Sequence, residues 1–178
     1  MITIDRPRTA EDWARMRRIC CETAPRPIPP SEREAFGRLW VDPYERWAPR
    51  WAYVAREGGE VVGYLTGCAS SARFLALTAL LGPRPKLGNN LRFPASLLLR
   101  LLRSYPAHLH VNVREGHRGG TGRALMERFE ADLRARGSRG VHVFCGERPV
   151  GFYQRLGYSE LGRIRIGDVP IFALGKRL

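Results

Sequence analysis

Two stretches of this chain carry residues whose types and spacing can do chemistry. The first is His117-Arg118-Gly119-Gly120-Thr121-Gly122-Arg123, followed directly by Leu125, Phe129 and Leu133 at helical spacing. A glycine-rich turn that opens a helix is an anion-binding device. The first helical N–H groups have no internal partner and the helix dipole is positive there. Glycines let a phosphate approach the backbone with no Cβ in the way. Arg118 and Arg123 add formal charge beside it. The second stretch is His108, His110 and Asn112, which alternate with Leu109, Val111 and Val113 and so share one face of a strand. Two histidines at i and i+2 suggest a metal, but no third ligand accompanies them and no metal site is expected.

The turn by itself does not choose its anion. No Gly-x4-Gly-Lys-Ser/Thr run is present, which excludes a P-loop. The Gly120-x-Gly122 pair lacks the third glycine of a dinucleotide fingerprint and lies late in the chain, where that fingerprint belongs in the first βαβ unit.

The elements that must position these residues follow in order. Ile2–Ile4 reads as a strand. Thr9 reads as the N-cap of a helix over about Ala10–Thr23, with Glu11 and Asp12 in its first turn but no glutamate to close a capping box. After Pro25–Pro30, Ser31 with Glu34 reads as a capping box opening a helix to about Trp40. Asp42–Trp47 reads as a turn. Trp51–Arg56 and Glu60–Cys68 flank Gly58-Gly59 as a hairpin. Gly63 and Gly67 in its second strand point to a bulge or close packing. Residues 72–106 form an insert with apolar helical patches at Phe74–Leu81 and Ala95–Leu102, joined by Gly82–Asn90. Lying before the strand that carries the histidines, the insert is placed to shape an acceptor site. Its leucine-rich patch is expected to pack over the domain or form a homodimer contact rather than enter a membrane. Beyond the central strand and helix come a strand at Gly140–Cys145, a short helix over Val150–Leu156 stopped by Gly157, and strands at Tyr158–Ile166 and Asp168–Leu174. The expected order is β-α-α-β-β-(helical insert)-β-α-β-α-β-β, an α/β fold with one mixed central sheet in a single domain over 1–178.

Composition narrows the function classes. No apolar run is long enough to span a bilayer and the first residues carry acids without an apolar core, so a cytoplasmic protein is expected. The four cysteines form no CxxC pair and are expected to be reduced. The net charge of +13 invites a nucleic-acid reading, but arginine supplies nearly all of it and is scattered through every segment with no Lys/Arg block. Nucleic acid is therefore not the expected partner. The positive field still favours an anionic cofactor.

With HRGGTGRAL and Phe152-Tyr153-Gln154-Arg155-Leu156-Gly157-Tyr158, this order resembles the GNAT superfamily of N-acetyltransferases across essentially the whole chain. The insert and the segments GYLTGC and YPAHLHVNV further resemble the bacterial branch similar to the acetyltransferase-like domain of O-GlcNAcases. The resemblance implies acetyl-coenzyme A as cofactor and a small-molecule or protein amine as acceptor, attacked directly. It implies that His117, Arg118, Gly119, Gly120, Thr121, Gly122 and Arg123 hold the pyrophosphate, and that backbone N–H groups of Val111, Asn112 and Val113 serve the pantetheine and the acetyl oxygen. It implies that Tyr153 protonates the departing thiolate, a role suited to a phenol with an ordinary pKa of about 10. His110 is the candidate base, beside the reading of a histidine held structurally.

Two departures from the family pattern stand out. The place three before Gly120 holds His117, with Arg118 one position late, so either the turn is one residue short or His117 takes the basic role. Gly146 stands where the family has an Asn that contacts pantetheine. These departures keep a non-catalytic acyl-coenzyme A-binding domain as the alternative to an enzyme.

Overall fold

The computed structural model describes residues 1–81 and 94–178. Seven strands form one mixed sheet in the order β1-β2-β3-β4-β5-β7-β6. They are β1 (Ile2–Asp5), β2 (Ala52–Glu57), β3 (Glu60–Cys68), β4 (Ala107–Val113), β5 (Gly140–Cys145), β6 (Ser159–Ile166) and β7 (Val169–Arg177). All neighbours are antiparallel except β4 and β5. β7 runs three residues past the expected Leu174 because Lys176 and Arg177 pair with Val141 and Gly140.

Helices cover both faces. α1 (Ala10–Glu22) and α2 (Arg33–Trp47) lie over β1 to β4, where Trp13, Met16, Ile19 and Val41 pack on Val54, Val61 and Tyr64. α4 (Ala95–Ser104) continues that layer over the other half of the sheet. Its Leu97 and Leu101 bury against Ile164 and Ala173, while Leu98 and Leu99 stay exposed. α5 (Thr121–Arg134) and α6 (Val150–Arg155) pack on the opposite face, with Leu125, Met126, Phe129 and Leu133 in the main core. α3 (Ser71–Leu81) follows β3. The expected link Gly82–Asn90 lies outside the described residues.

Local chemistry explains three differences from the sequence reading. Thr9 does cap α1, and the box is closed by Asp12 rather than by a glutamate: its Oδ2 accepts from the Thr9 N–H at 3.2 Å and from the Arg8 N–H at 2.7 Å. The predicted Ser31–Glu34 box does not form. Pro30–Glu32 is a 3-10 turn that runs straight into α2, so Ser31 is already helical and cannot adopt the extended N-cap backbone. Asp42–Trp47 is no turn either but the last turns of α2, with Pro43 inside the helix. Proline removes one helical hydrogen bond there. Buried Val41, and Tyr44 stacked on Phe74 at 4.6 Å, hold the segment in place.

The hairpin glycines behave as expected. A bulge falls between the Ala55 and Arg56 pairings, which skip Val62 beside Gly63. Gly67 sits where a Cβ would lie 2.6 Å from the His108 carbonyl oxygen. Among the described residues no helix is long and apolar enough to cross a membrane.

Candidate active site

The site is made where the sheet comes apart. β4 and β5 pair in parallel at Ala107–Val141 and His108–His142, and no further pairing joins them among the described residues. β4 stays paired with β3 past this point, from Cys68–His108 to Gly63–Val113. The Arg114 N–H bonds the Val62 carbonyl at 2.9 Å. Alternation along the strand therefore turns the N–H groups of Asn112 and His110 toward β3 as well. The N–H groups of Leu109, Val111 and Val113 point the other way, toward β5, where the parallel His108–His142 pairing takes up that of Leu109 and leaves those of Val111 and Val113 in the gap. Of the three backbone donors named from sequence, Val111 and Val113 face the gap, and the Asn112 N–H is turned toward β3.

The loop after β4 carries the chain over the end of this gap to α5. Gly120 is the N-cap of α5 with φ +87°, a left-handed conformation that costs an L side chain about 1–2 kcal/mol. Above Gly119 and Gly120 a Cβ would meet nothing within 4 Å, so their backbone is open to a ligand. Arg118 and Arg123 are exposed beside it. Gly122 has a different task. A Cβ there would lie 3.2 Å from the Phe152 ring, so this glycine lets α5 approach α6, and Thr121 beside it is buried. His117 turns away from the glycines: its Nδ1 pairs with Glu57 Oε2 at 2.6 Å, across to the β2–β3 hairpin.

Tyr153 lies on α6, beyond the end of β5, and is 4% exposed. Its ring packs against Phe152 at 5.1 Å and Tyr158 at 5.6 Å. Burial pushes its phenol above the usual value and the neighbouring Cys145 thiol adds to the shift, so the hydroxyl stays protonated at neutral pH. Among the described residues that hydroxyl has no hydrogen-bond partner.

The histidines face the α2 side of β4. His110 is half-buried beneath Trp40, with ring centroids 5.6 Å apart. The Asn112 amide donates to the Tyr64 hydroxyl at 2.9 Å and lies 3.4 Å from His110 Nε2, while Tyr64 is 3.5 Å from His110 Nδ1. Desolvation lowers the His110 pKa to about 4. His108 is held more tightly, with the Tyr44 hydroxyl 3.0 Å from Nε2 and the Ser71 hydroxyl 2.8 Å from Nδ1. Desolvation, reinforced by His142 and His110, lowers its pKa to about 3. The sequence reading missed Tyr44, Tyr64, Trp40 and Ser71 as partners of these histidines. They come from α2, β3 and α3, and no local motif ties them to β4. Among the described residues no group of three His, Cys, Asp or Glu side chains is placed to hold a metal.

A mixed sheet that parts between two parallel strands, closed at one end by a glycine-capped helix, defines an α/β acyltransferase. The chain belongs to the acetyltransferase (GNAT) family, whose model matches residues 11–158. A crystal structure of SsHAT superposes with a TM-score of 0.75 at 27% identity, covering 99% of this chain and 98% of that one. The structure of the NatC complex bound to Gag peptide and CoA gives 0.64 at 12% identity, over 99% of this chain and 98% of that one, and shows the shared fold. A curated relative, the chloroplastic serotonin N-acetyltransferase 2 of Oryza sativa subsp. japonica, is 48% identical over 40 residues. That match spans 22% of this chain and 20% of the relative. These likenesses establish the family, not the narrower O-GlcNAcase-like branch.

Proposed function

We propose that this protein transfers an acetyl group from acetyl-coenzyme A to an amine, either a small molecule or an amine on a protein. The carrying observation is the parting of β4 from β5 beyond His108, which frees backbone donors in the middle of a sheet. Elsewhere in a sheet interior such donors are paired. The open backbone over Gly119 and Gly120 fits a phosphate-bearing ligand at one end of the gap. Support also comes from the relatives: one is named for N-acetylation of serotonin and another was crystallised with CoA.

The cofactor supplies a thioester whose carbonyl carbon the amine attacks. The amides of residues 119–123 receive the pyrophosphate at the positive end of α5, with Arg118 and Arg123 beside them. The Val111 and Val113 N–H groups, aimed into the gap, stabilise negative charge developing on the carbonyl oxygen. Tyr153 holds its proton and donates it to the departing sulfur, and the resulting phenolate regains, through solvent, the proton that the attacking nitrogen releases. With a pKa of about 4, His110 is a poor proton sink at neutral pH. Its role is to accept a hydrogen bond and orient an amine that arrives neutral. The pairing of His117 with Glu57 leaves the phosphate contacts to backbone amides and the exposed arginines.

Two measurements test this. Coenzyme A should raise the melting temperature, since a ligand at 100 times its dissociation constant adds about 2.7 kcal/mol. No rise at millimolar coenzyme A sinks the cofactor assignment. Tyr153→Phe keeps the ring and removes the proton donor. It should lower single-turnover thiol release by about 10²–10⁴-fold while coenzyme A still stabilises the fold. A wild-type single-turnover rate makes Tyr153 a packing residue and moves the acid role elsewhere.

A further inference from the structure

Arginines scattered through the sequence converge in space at the end of α5 away from the glycine turn. A concavity of about 690 Å³ is lined by Arg6, Arg50, Arg128 and Arg136 around Trp51 and Asp132. A second, of about 500 Å³, shares Arg50, Trp51 and Arg136 and adds Arg73 on a wall of Trp47, Phe74 and Leu77. Neither includes the β4–α5 turn or Tyr153. α5 has 14 residues, so at 1.5 Å per residue its two ends are roughly 20 Å apart.

The charge here is poorly compensated. Among the described residues Asp132 is the one acid lining either concavity, against five arginines. It is already engaged by Arg6 at 2.6 Å and by the Tyr53 hydroxyl at 2.9 Å, with Arg128 at 3.5 Å. Arg50 and Arg73 are exposed and have no carboxylate partner among the described residues. Arg136 lies over the Trp51 ring, 5.6 Å from its centroid. A cation at a helix C-terminus complements the dipole and accounts for Arg136 alone. It does not account for arginines drawn in from the segment after α2 and from α3. Beside this rim stands an apolar wall whose exposed part is half-buried Trp47, with Arg46 over its ring at 4.8 Å, and Leu77; Phe74 behind them is buried against Tyr44.

We propose that this cleft binds single-stranded nucleic acid, its phosphodiesters on Arg50, Arg73, Arg128 and Arg136 and its bases against the half-buried Trp47 ring and Leu77. A cationic groove beside an aromatic ring, here Trp47, is what a sequence-tolerant single-strand site uses. Guanidinium groups match phosphate geometry better than lysine does. A site for a carboxylate-rich peptide would use the arginines but not the aromatic wall. The sequence expectation was against nucleic acid because no Lys/Arg block exists. Here the basic surface is assembled by the fold from residues 6 to 136.

The test is fluorescence anisotropy with a labelled single-stranded oligonucleotide of about 12 nucleotides, within the usual single-strand site size. Four arginine–phosphate contacts give a log–log salt slope of about −2.8, an affinity loss of about 50-fold between about 50 and 200 mM salt. Arg50→Ala/Arg73→Ala should weaken binding and bring the slope to about −1.4. Arg26→Ala/Arg100→Ala, which removes the same charge from exposed positions outside both concavities, should leave the slope unchanged. Should the alanine pair melt early, Arg50→Gln/Arg73→Gln gives the same comparison with the side-chain length kept. Equal weakening by the cleft and control pairs overturns the proposal, because the effect is then net charge. So does an aspartate-rich peptide of equal length that displaces the oligonucleotide at equal concentration, or no binding at the lower salt. Stabilisation by coenzyme A should be the same in all variants, which separates this cleft from the acetyltransfer site.

Discussion

Gly67→Ala tests how the sheet holds the site open. Gly67 lies on β3 opposite Leu109, next to the point where β4 and β5 part. An added Cβ would sit 2.6 Å from the His108 carbonyl oxygen and 2.6 and 2.8 Å from two carbons of the Phe129 ring. Ordinary contact begins at 3.4 Å, so something must give by roughly 0.8 Å. The carbonyl is fixed in the β3–β4 pairing. Phe129 is fully buried, edge-on to Trp51 at 5.8 Å and to Tyr53 at 5.9 Å, and cannot swing away. Relief therefore requires α5 to lift from the sheet and the β3–β4 pairing to shift. Overpacking of this kind costs about 1–3 kcal/mol, offset by well under 1 kcal/mol from the smaller entropy of the unfolded alanine chain. At about 2–4 °C per kcal/mol for a domain of this size, a net cost of about 2 kcal/mol lowers the melting temperature by about 4–8 °C. Thermal unfolding by circular dichroism measures it. Phe129→Leu should relieve the ring part of the clash and leave the carbonyl contact, so the double variant should be less destabilised than the sum of the two single variants. A melting temperature within 1 °C of wild type (about the precision of such a scan), or strict additivity with Phe129→Leu, refutes the packing argument.

Two further outcomes are expected. His108 and His110 have folded pKa values of about 3 and 4, below the unfolded value near 6.5. The unfolded chain therefore binds two protons between pH 6.5 and 4 that the folded chain does not, and stability falls as pH drops through that window. Denaturant unfolding should show a loss of about 2–3 kcal/mol from pH 7 to 5.5, and an unchanged midpoint would show that these histidines ionise in place. Asp12 is 6% exposed and accepts from the Arg8 and Thr9 N–H groups while pairing with Arg56 at 2.8 Å. Asp12→Ala should cost about 3 kcal/mol and Asp12→Asn less, since asparagine keeps an acceptor for the cap. Equal losses for the two would show that the charge, not the cap, holds the start of α1.

Much of the frame was legible in the chain itself. The runs flanking Gly58-Gly59 placed β2 and β3, and period-two runs placed β4 and β5. Thr9 marked a helix start because a cap must sit beside the first turn, and the glycine-rich turn showed where α5 begins and where an anion meets backbone. These are short-range properties, fixed by φ, ψ preferences and by neighbours a few residues apart. The misread segments were also local but competing. Ser31 has the capping pattern, yet Pro29 and Pro30 had already committed the backbone to a 3-10 turn. Pro43 looks like a breaker, yet tertiary contacts of Val41 and Tyr44 keep α2 going.

What only the tertiary structure decided depends on distance in space. The break in pairing after His108 and His142 is a property of two strands separated by α5, and no residue of β4 announces it. Which N–H groups face that break follows from a single register bond, Arg114 to Val62. The neutrality of His108 and His110 comes from Tyr44, Ser71, Tyr64 and Trp40, brought by three other elements that exclude water from the imidazoles. His117 was drawn to Glu57, 60 residues away, rather than to the glycines beside it. The arginine cleft has no trace along the chain at all. Charge is a long-range quantity, and its local density is set by where the fold carries Arg6, Arg50, Arg73, Arg128 and Arg136, not by their order in sequence.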